Sequence, residues 1–378
     1  NQYWEANKYS ISVASGEGLG RSDFDMGENF EYWPYGRIRD INVFLSAIET
    51  SKNKYTEEQY KEYLGEGHFL RAYYYFGLAK RYGGVPLIDE VLDPTADLNT
   101  LQIARSTEYD TWKHIYDDLK FAMENASSDK TSKHRATRYT AAALMSRTML
   151  YAGRIAKYGK YAAYNGPASQ AGLMGMSDAY AQEFFQYAYD ACKFLQQAGY
   201  KLHTGADKET AFVEVFTKDE TEEDIFVKAY GADATTPFET ALKHSYDAMT
   251  LPLGDGMSTM VGCALQPSFD LVGLYDMPAI TDEDGKPVRF NSLDDLWKSS
   301  EMEPRAKATV FFSGMTEPVS KQVLNIQAGY YKSYPGTTSD GAPENTDNEY
   351  TQTYRVRAQK AGVTEKDGTP VSGKYGYA

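Results

Sequence analysis

Residues 69–87 read FLRAYYYFGLAKRYGGVPL, and this stretch constrains the fold more than any other. Tyr73, Tyr74, Tyr75 and Phe76 are consecutive. Neighbouring side chains on an α-helix diverge by about 100°, so these rings cannot form one flat platform. They spread around the helix, and Ala72, Gly77 and Ala79 let neighbours come close. A helix of this kind is buried on several sides. Arg71, Lys80 and Arg81 are expected to reach polar partners or the surface. Gly83 and Gly84 supply a left-handed cap, and Val85, preceding Pro86, is extended. Such a helix needs several others packed around it.

The flanking sequence supplies them. Helical order begins near Tyr35, where Ile38, Ile41, Val43, Leu45 and Ile48 give a mostly apolar face that ends at Ser51. The aromatic helix starts at Thr56, with Glu57 and Glu58 in its first turn facing the positive end of the helix dipole. Thr107 and Asp110 resemble a capping box, and Trp112, Ile115, Leu119 and Ala122 share one helical face. A partner helix is expected over 136–158, where Ala141, Ala142, Ala143 and Ser146 are small contact residues. Another is expected over 177–197, with a stripe of Phe184, Ala188, Cys192 and Leu195 and a stop at Gly199. Helix–turn–helix units of this kind bury their faces by stacking on neighbours.

The texture changes after Tyr200. The segments 211–216 (AFVEVF) and 224–230 (DIFVKAY) read as strands or short helices, and 335–348 reads as a long polar surface loop. The fold expected is mainly α. Tetratricopeptide-like helical hairpins occupy 35–205, and a loop-rich, irregular α+β remainder occupies 206–378. Together they form one domain over 1–378, incomplete at both ends.

Composition narrows the function. The net charge of −14 repels a polyphosphate, which argues against nucleic acid as a partner. The Cys192 and Cys263 thiols have no metal-ligand spacing, and Cys192 reads as a small core residue. His68, His114, His134, His203 and His244 are scattered, and no HExxH or GxSxG motif occurs. GEGLG at 16–20 lacks the strand–helix setting of a dinucleotide fingerprint, and the acidic turn at 281–285 lacks EF-hand spacing. Neither an enzyme nor a cofactor is expected.

What remains is a set of aromatic residues outside the helical stripes, in a chain with 32 tyrosines. Trp33 and Tyr35 lie in a loop before the first helix, Trp297 has polar neighbours, and Tyr331 and Tyr334 adjoin a glycine-rich loop. Rings so placed either plug loop–helix contacts or stack on the apolar faces of sugars while nearby polar groups bind the hydroxyls.

The frame EGHFLRAYYYFGLAKRYGGVPLI at 66–88 closely resembles the signature helix of the SusD/RagB family, and RATRYTAAALMSRTMLYAG at 135–153 resembles a second family element. YGRIRDINVFLSAI, TWKHIYDDLKFAM, ACKFLQQAGYKL and ETEEDIFV follow in the family's order, so that the resemblance covers about 30–230. The resemblance implies a tetratricopeptide-like scaffold and a non-enzymatic, cell-surface lipoprotein of the Bacteroidetes outer membrane. It implies capture of an oligosaccharide or polysaccharide and transfer to a SusC-like TonB-dependent transporter. The lipid anchor would lie N-terminal to this chain, and further helices C-terminal to it. A peptide- or other-nutrient-binding member, or a helical scaffold that binds only protein, are the alternatives. No family motif assigns ligand contacts to single positions.

Overall fold

The computed structural model describes residues 18–20, 32–159, 165–218, 220–228, 265–267, 271, 274–275 and 303–310. The chain divides into two compact units. The first joins Phe30–His203 to Glu220–Ala229; the second joins Asn1–Asn29, Thr204–Asp219 and Tyr230–Ala378.

The first unit is helical. Helix α1 spans Tyr35–Thr50, α2 Glu57–Tyr82, α3 Glu108–Asn125, α4 Arg138–Tyr158 and α5 Ala181–Gln197. Each packs on the next in sequence. Side-chain caps fix several starts. Thr56 forms a reciprocal capping box with Gln59, each contact 3.1 Å long. Thr107 Oγ1 accepts from Asp110 N at 3.0 Å but donates to Asp110 Oδ2 at 2.6 Å. Asp is one methylene shorter than Glu, so its carboxylate meets the hydroxyl instead of the cap's own N–H. Thr137 caps α4 through Thr140 N.

The main core runs through α2 to α5. Phe69, Ala72, Tyr75, Phe76, Leu78 and Ala79 from α2 meet Trp112, Ile115, Leu119 and Ala122 from α3. Met145, Met149 and Ala152 of α4 and Phe184, Ala188 and Ala191 of α5 complete it. The consecutive aromatics of α2 do spread. Tyr73 is 50% exposed, Tyr74 is half-buried, and Tyr75 and Phe76 are buried. Two expected core residues face outward instead. Val43 is exposed while Ile41, Asn42 and Leu45 are buried. Cys192 is exposed, and Ala191 takes the inward place. The inner line of α5 is Ala181, Phe184, Ala188 and Ala191, a spacing of alternating threes and fours, which centres on the small residues that α4 can approach.

Polar groups are buried among these helices. Arg71 is 6% exposed and Asp118 3%. Arg71 Nε donates to Asp118 Oδ2 at 2.8 Å and Nη2 to Oδ1 at 2.7 Å. His68 Nδ1 lies 2.6 Å from the same Oδ1. Arg71 Nη1 donates to Asn42 Oδ1 at 3.2 Å, tying α1 into the network. Burial alone would raise the Asp118 carboxyl, but the hydrogen bonds from Arg71 and His68 outweigh it and hold the group down at about 2.

The second unit contains helix α6, Lys208–Thr217, packed on a short helix α7, Pro304–Thr309. Its strands β1, Gly18–Gly20, and β2, Leu265–Pro267, pair antiparallel with Leu19 opposite Gln266. The 211–216 segment lies within α6, where Asp207 caps the start by accepting from Thr210 N at 2.8 Å. In the first unit, 224–228 forms no regular element, and Val227 N donates to Lys133 O at 2.8 Å. Trp297, Tyr331, Tyr334 and Cys263, with the segments 281–285 and 335–348, lie outside the described residues.

Candidate aromatic binding site

Pro34 occupies the N-cap of α1, and Tyr35 N donates to Trp33 O at 2.9 Å. Trp33 is 55% exposed. Its ring centroid lies 5.0 Å from Tyr35, tilted by 52°, and 5.1 Å from Tyr82, nearly edge-on at 79°. Tyr35 is therefore the first residue of α1 and not a loop residue, while Tyr82 is the last residue of α2. The two helix ends bring three rings into one corner.

The flanking hydroxyls are spent on structure. Tyr35 Oη donates to Pro86 O at 2.7 Å, and Tyr82 Oη accepts from Tyr32 N at 3.1 Å. Burial, with the neighbouring Tyr75, raises the Tyr35 phenol, and Arg105 opposes that rise. Rings pinned in this way lose little freedom when a ligand stacks on them. What they offer outward is carbon surface, which suits a ligand with an apolar face.

The segment behind the corner is held from several helices. Gly83 has a φ of 68° and Gly84 N donates to Leu173 O at 2.8 Å. The ψ of Gly83 is −123°, so the turn is not the left-handed cap expected, though it still requires positive φ. A Cβ on Gly84 would come 2.0 Å from Ser106 O. Tyr75 Oη accepts from Ile88 N at 2.7 Å. Asn42 Nδ2 donates to Ile88 O at 2.8 Å and Glu90 O at 3.2 Å. Buried Glu108 accepts from Trp112 Nε1 at 3.2 Å and Gly175 N at 2.5 Å, which ties the 172–175 turn to α3. Burial raises the Glu108 carboxyl, and these two donors oppose the rise.

Arg105 borders the corner. It is exposed, yet Nε donates to Gly84 O at 2.7 Å and Nη2 to Tyr82 O at 2.6 Å. Arg81 stands over the Tyr32 ring, 4.6 Å from its centroid, and its Nη1 donates to Gly77 O at 3.0 Å. Of the residues singled out from sequence, Trp33 and Tyr35 are brought together. Tyr82 and Arg105 are additions that sequence reasoning missed. The signal for Tyr82 was its position at the end of a helix stopped by Gly-Gly; nothing local marks Arg105.

A second concavity of about 200 Å³ lies among Lys130, Lys133, Tyr200, Thr221, Glu222 and Asp224. Typical ligand pockets begin at about 300 Å³. Its polar groups are also paired internally, as Lys133 Nζ with Thr221 O at 3.1 Å and Glu222 with His203 at 2.8 Å. The aromatic corner is the better candidate. Among the described residues no cluster of His, Cys, Asp or Glu could hold a metal ion, and no helix is long and apolar enough to cross a membrane.

Known proteins share parts of this sequence and fold. Residues 9–150 match a SusD-like family described as "Starch-binding associating with outer membrane". A SusD-like protein from Bacteroides fragilis NCTC 9343 superposes with a TM-score of 0.54 and 26% identity, over 76% of this chain and 49% of its own. A SusD-like carbohydrate-binding protein from the same strain gives a TM-score of 0.55 and 18% identity, over 85% of this chain and 52% of its own. The chain thus spans about half the length of these structures. No curated protein sequence matches it. The family match over 9–150 and the shared helical fold make the chain similar to SusD-like proteins.

Proposed function

We propose that this chain captures a glycan at the cell surface and passes it to a SusC-like TonB-dependent transporter. The observation that carries the binding step is the exposed Trp33 indole, fixed between Tyr35 and Tyr82. An exposed ring on a rigid frame stacks on the apolar face of a sugar at small entropic cost. The family's description and the carbohydrate-binding relative support the same ligand class. Trp297, Tyr331 and Tyr334 are proposed as further stacking residues. A shallow platform buries little area, so binding at each ring is modest and affinity grows with chain length.

The family's description supports an outer-membrane setting, and the SusD/RagB resemblance supports a lipid anchor N-terminal to this chain. Its role is binding without turnover. Calorimetry with malto-, laminari-, xylogluco- and galacto-oligosaccharides tests the ligand class. Heat with at least one, and unchanged sugars recovered afterwards, supports the proposal. Silence across the panel, or heat only with peptides, overturns it. Co-purification of the full-length protein with a TonB-dependent barrel tests the partner.

A further inference from the structure

We infer that the glycan bound at the aromatic corner is acidic, with Arg105 receiving a carboxylate or sulfate of the sugar stacked on Trp33. The inference rests on the glycan-binding reading and adds the charge class of the ligand.

The chain carries a net charge of −14, yet the C-terminal end of α2 is cationic. Lys80 and Arg81 lie in its last turn, and Arg105 bonds the carbonyls of Tyr82 and Gly84. Arg147 comes near enough that it and Arg81, after burial, lower the Lys80 ammonium. Among the described residues no carboxylate pairs with Lys80, Arg81, Arg105 or Arg147. Cations in the last turn complement the helix dipole, which accounts for Lys80 and Arg81. Arg105 comes from a different segment, ahead of α3.

Its geometry goes beyond a latch. Nε and Nη2 bond two neutral carbonyls, which fix the plane of the guanidinium without an ion pair among the described residues. Nη1 has no partner among the described residues. An immobilised, exposed guanidinium with an open N–H edge suits a planar or tetrahedral anion, and such charge-assisted bonds are stronger than neutral ones. The guanidinium bonds the carbonyl of the same Tyr82 whose ring flanks Trp33. Arg105 also comes near enough to oppose the rise of the Tyr35 phenol, so its charge lies beside the ring corner. A neutral sugar would stack equally well but leave this charge unused.

The test uses a matched pair, galacturonic-acid hexasaccharide and galactose hexasaccharide, with a sulfated galactose hexasaccharide to separate carboxylate from sulfate. At about 50 mM salt, one acidic probe is expected to bind about tenfold more tightly than the neutral one, and about 500 mM salt should erase most of that advantage. Arg105→Gln should abolish the preference, while Arg105→Lys keeps part of it. The salt series on the unmodified protein decides the case even if Arg105→Gln unfolds. Equal affinity for acidic and neutral probes, or an acidic preference that survives Arg105→Gln or high salt, overturns the inference. If both probes bind equally and Trp33→Ala abolishes both, the charge assignment fails while the stacking site stands. If Trp33→Ala changes neither, the site itself is misplaced, and the inference falls with it.

Discussion

Arg71 grips Asp118 at two points, Nε to Oδ2 at 2.8 Å and Nη2 to Oδ1 at 2.7 Å, between α2 and α3. The same guanidinium reaches Asn42 on α1, and Asn42 in turn holds the carbonyls of Ile88 and Glu90. One buried ion pair therefore links three helices to the segment that supports the aromatic corner. Removing one partner strands a charge in the core. Arg71→Ala or Asp118→Ala should each cost about 3–5 kcal/mol, read from denaturant unfolding. The apolar double variant Arg71→Met, Asp118→Leu should cost much less than the sum of the singles.

The same pair sets an acid limit. Asp118 is held at about 2, below its ordinary value of 3.8, so it contributes stability that is full above pH 4 and lost as pH falls towards 2. The difference amounts to roughly 2 kcal/mol. Glu108 acts with the opposite sign, because its raised carboxyl favours the folded state at low pH and that contribution fades as pH rises. Thermal melts at pH 4, 3 and 2 should show the Asp118 loss, and Asp118→Asn should flatten it from a lower starting stability.

Tyr75 and Tyr73 differ by two positions and should differ sharply in effect. Tyr75→Phe removes the acceptor for Ile88 N in the interior and should cost about 1–3 kcal/mol. Tyr73→Phe, at an exposed position, should change stability by less than about 0.5 kcal/mol. Chemical denaturation of the two variants side by side checks this.

Gly84 meets Ser106 O so closely that Gly84→Ala must move backbone. It should destabilise by more than about 1 kcal/mol and weaken ligand binding together, since Arg105 bonds the Gly84 carbonyl. Gly36, at the start of α1, has open space around its Cα, and Gly36→Ala should be neutral or stabilising.

Much of the helical part is legible in the sequence because apolar spacing and caps agree there. Trp112, Ile115, Leu119 and Ala122 are all fully buried, as one helical face requires. The buried polar residues were harder. Asp117 is exposed and Asp118 buried, although the two are identical in type and adjacent. Only register separates them, since Asp118 lies three residues after Ile115 and four before Ala122. Asn42 and Arg71 likewise sit in line with core residues of their helices. Cys192 shows the converse, an apolar residue one step off the inner line. The candidate site was half legible: Trp33 and Tyr35 stand out locally, whereas Tyr82 and Arg105 join them only through the fold.

The central claim is that ligand stacks on Trp33, and calorimetry of Trp33→Ala beside Tyr73→Ala tests it most directly. Both residues are about half exposed aromatics in the same unit, so both variants should fold with nearly unchanged melting temperature. For whichever oligosaccharide binds the parent protein, Trp33→Ala should lower affinity at least tenfold and Tyr73→Ala less than twofold, in line with about 1–3 kcal/mol for loss of a stacking ring. Full affinity in folded Trp33→Ala would contradict the account.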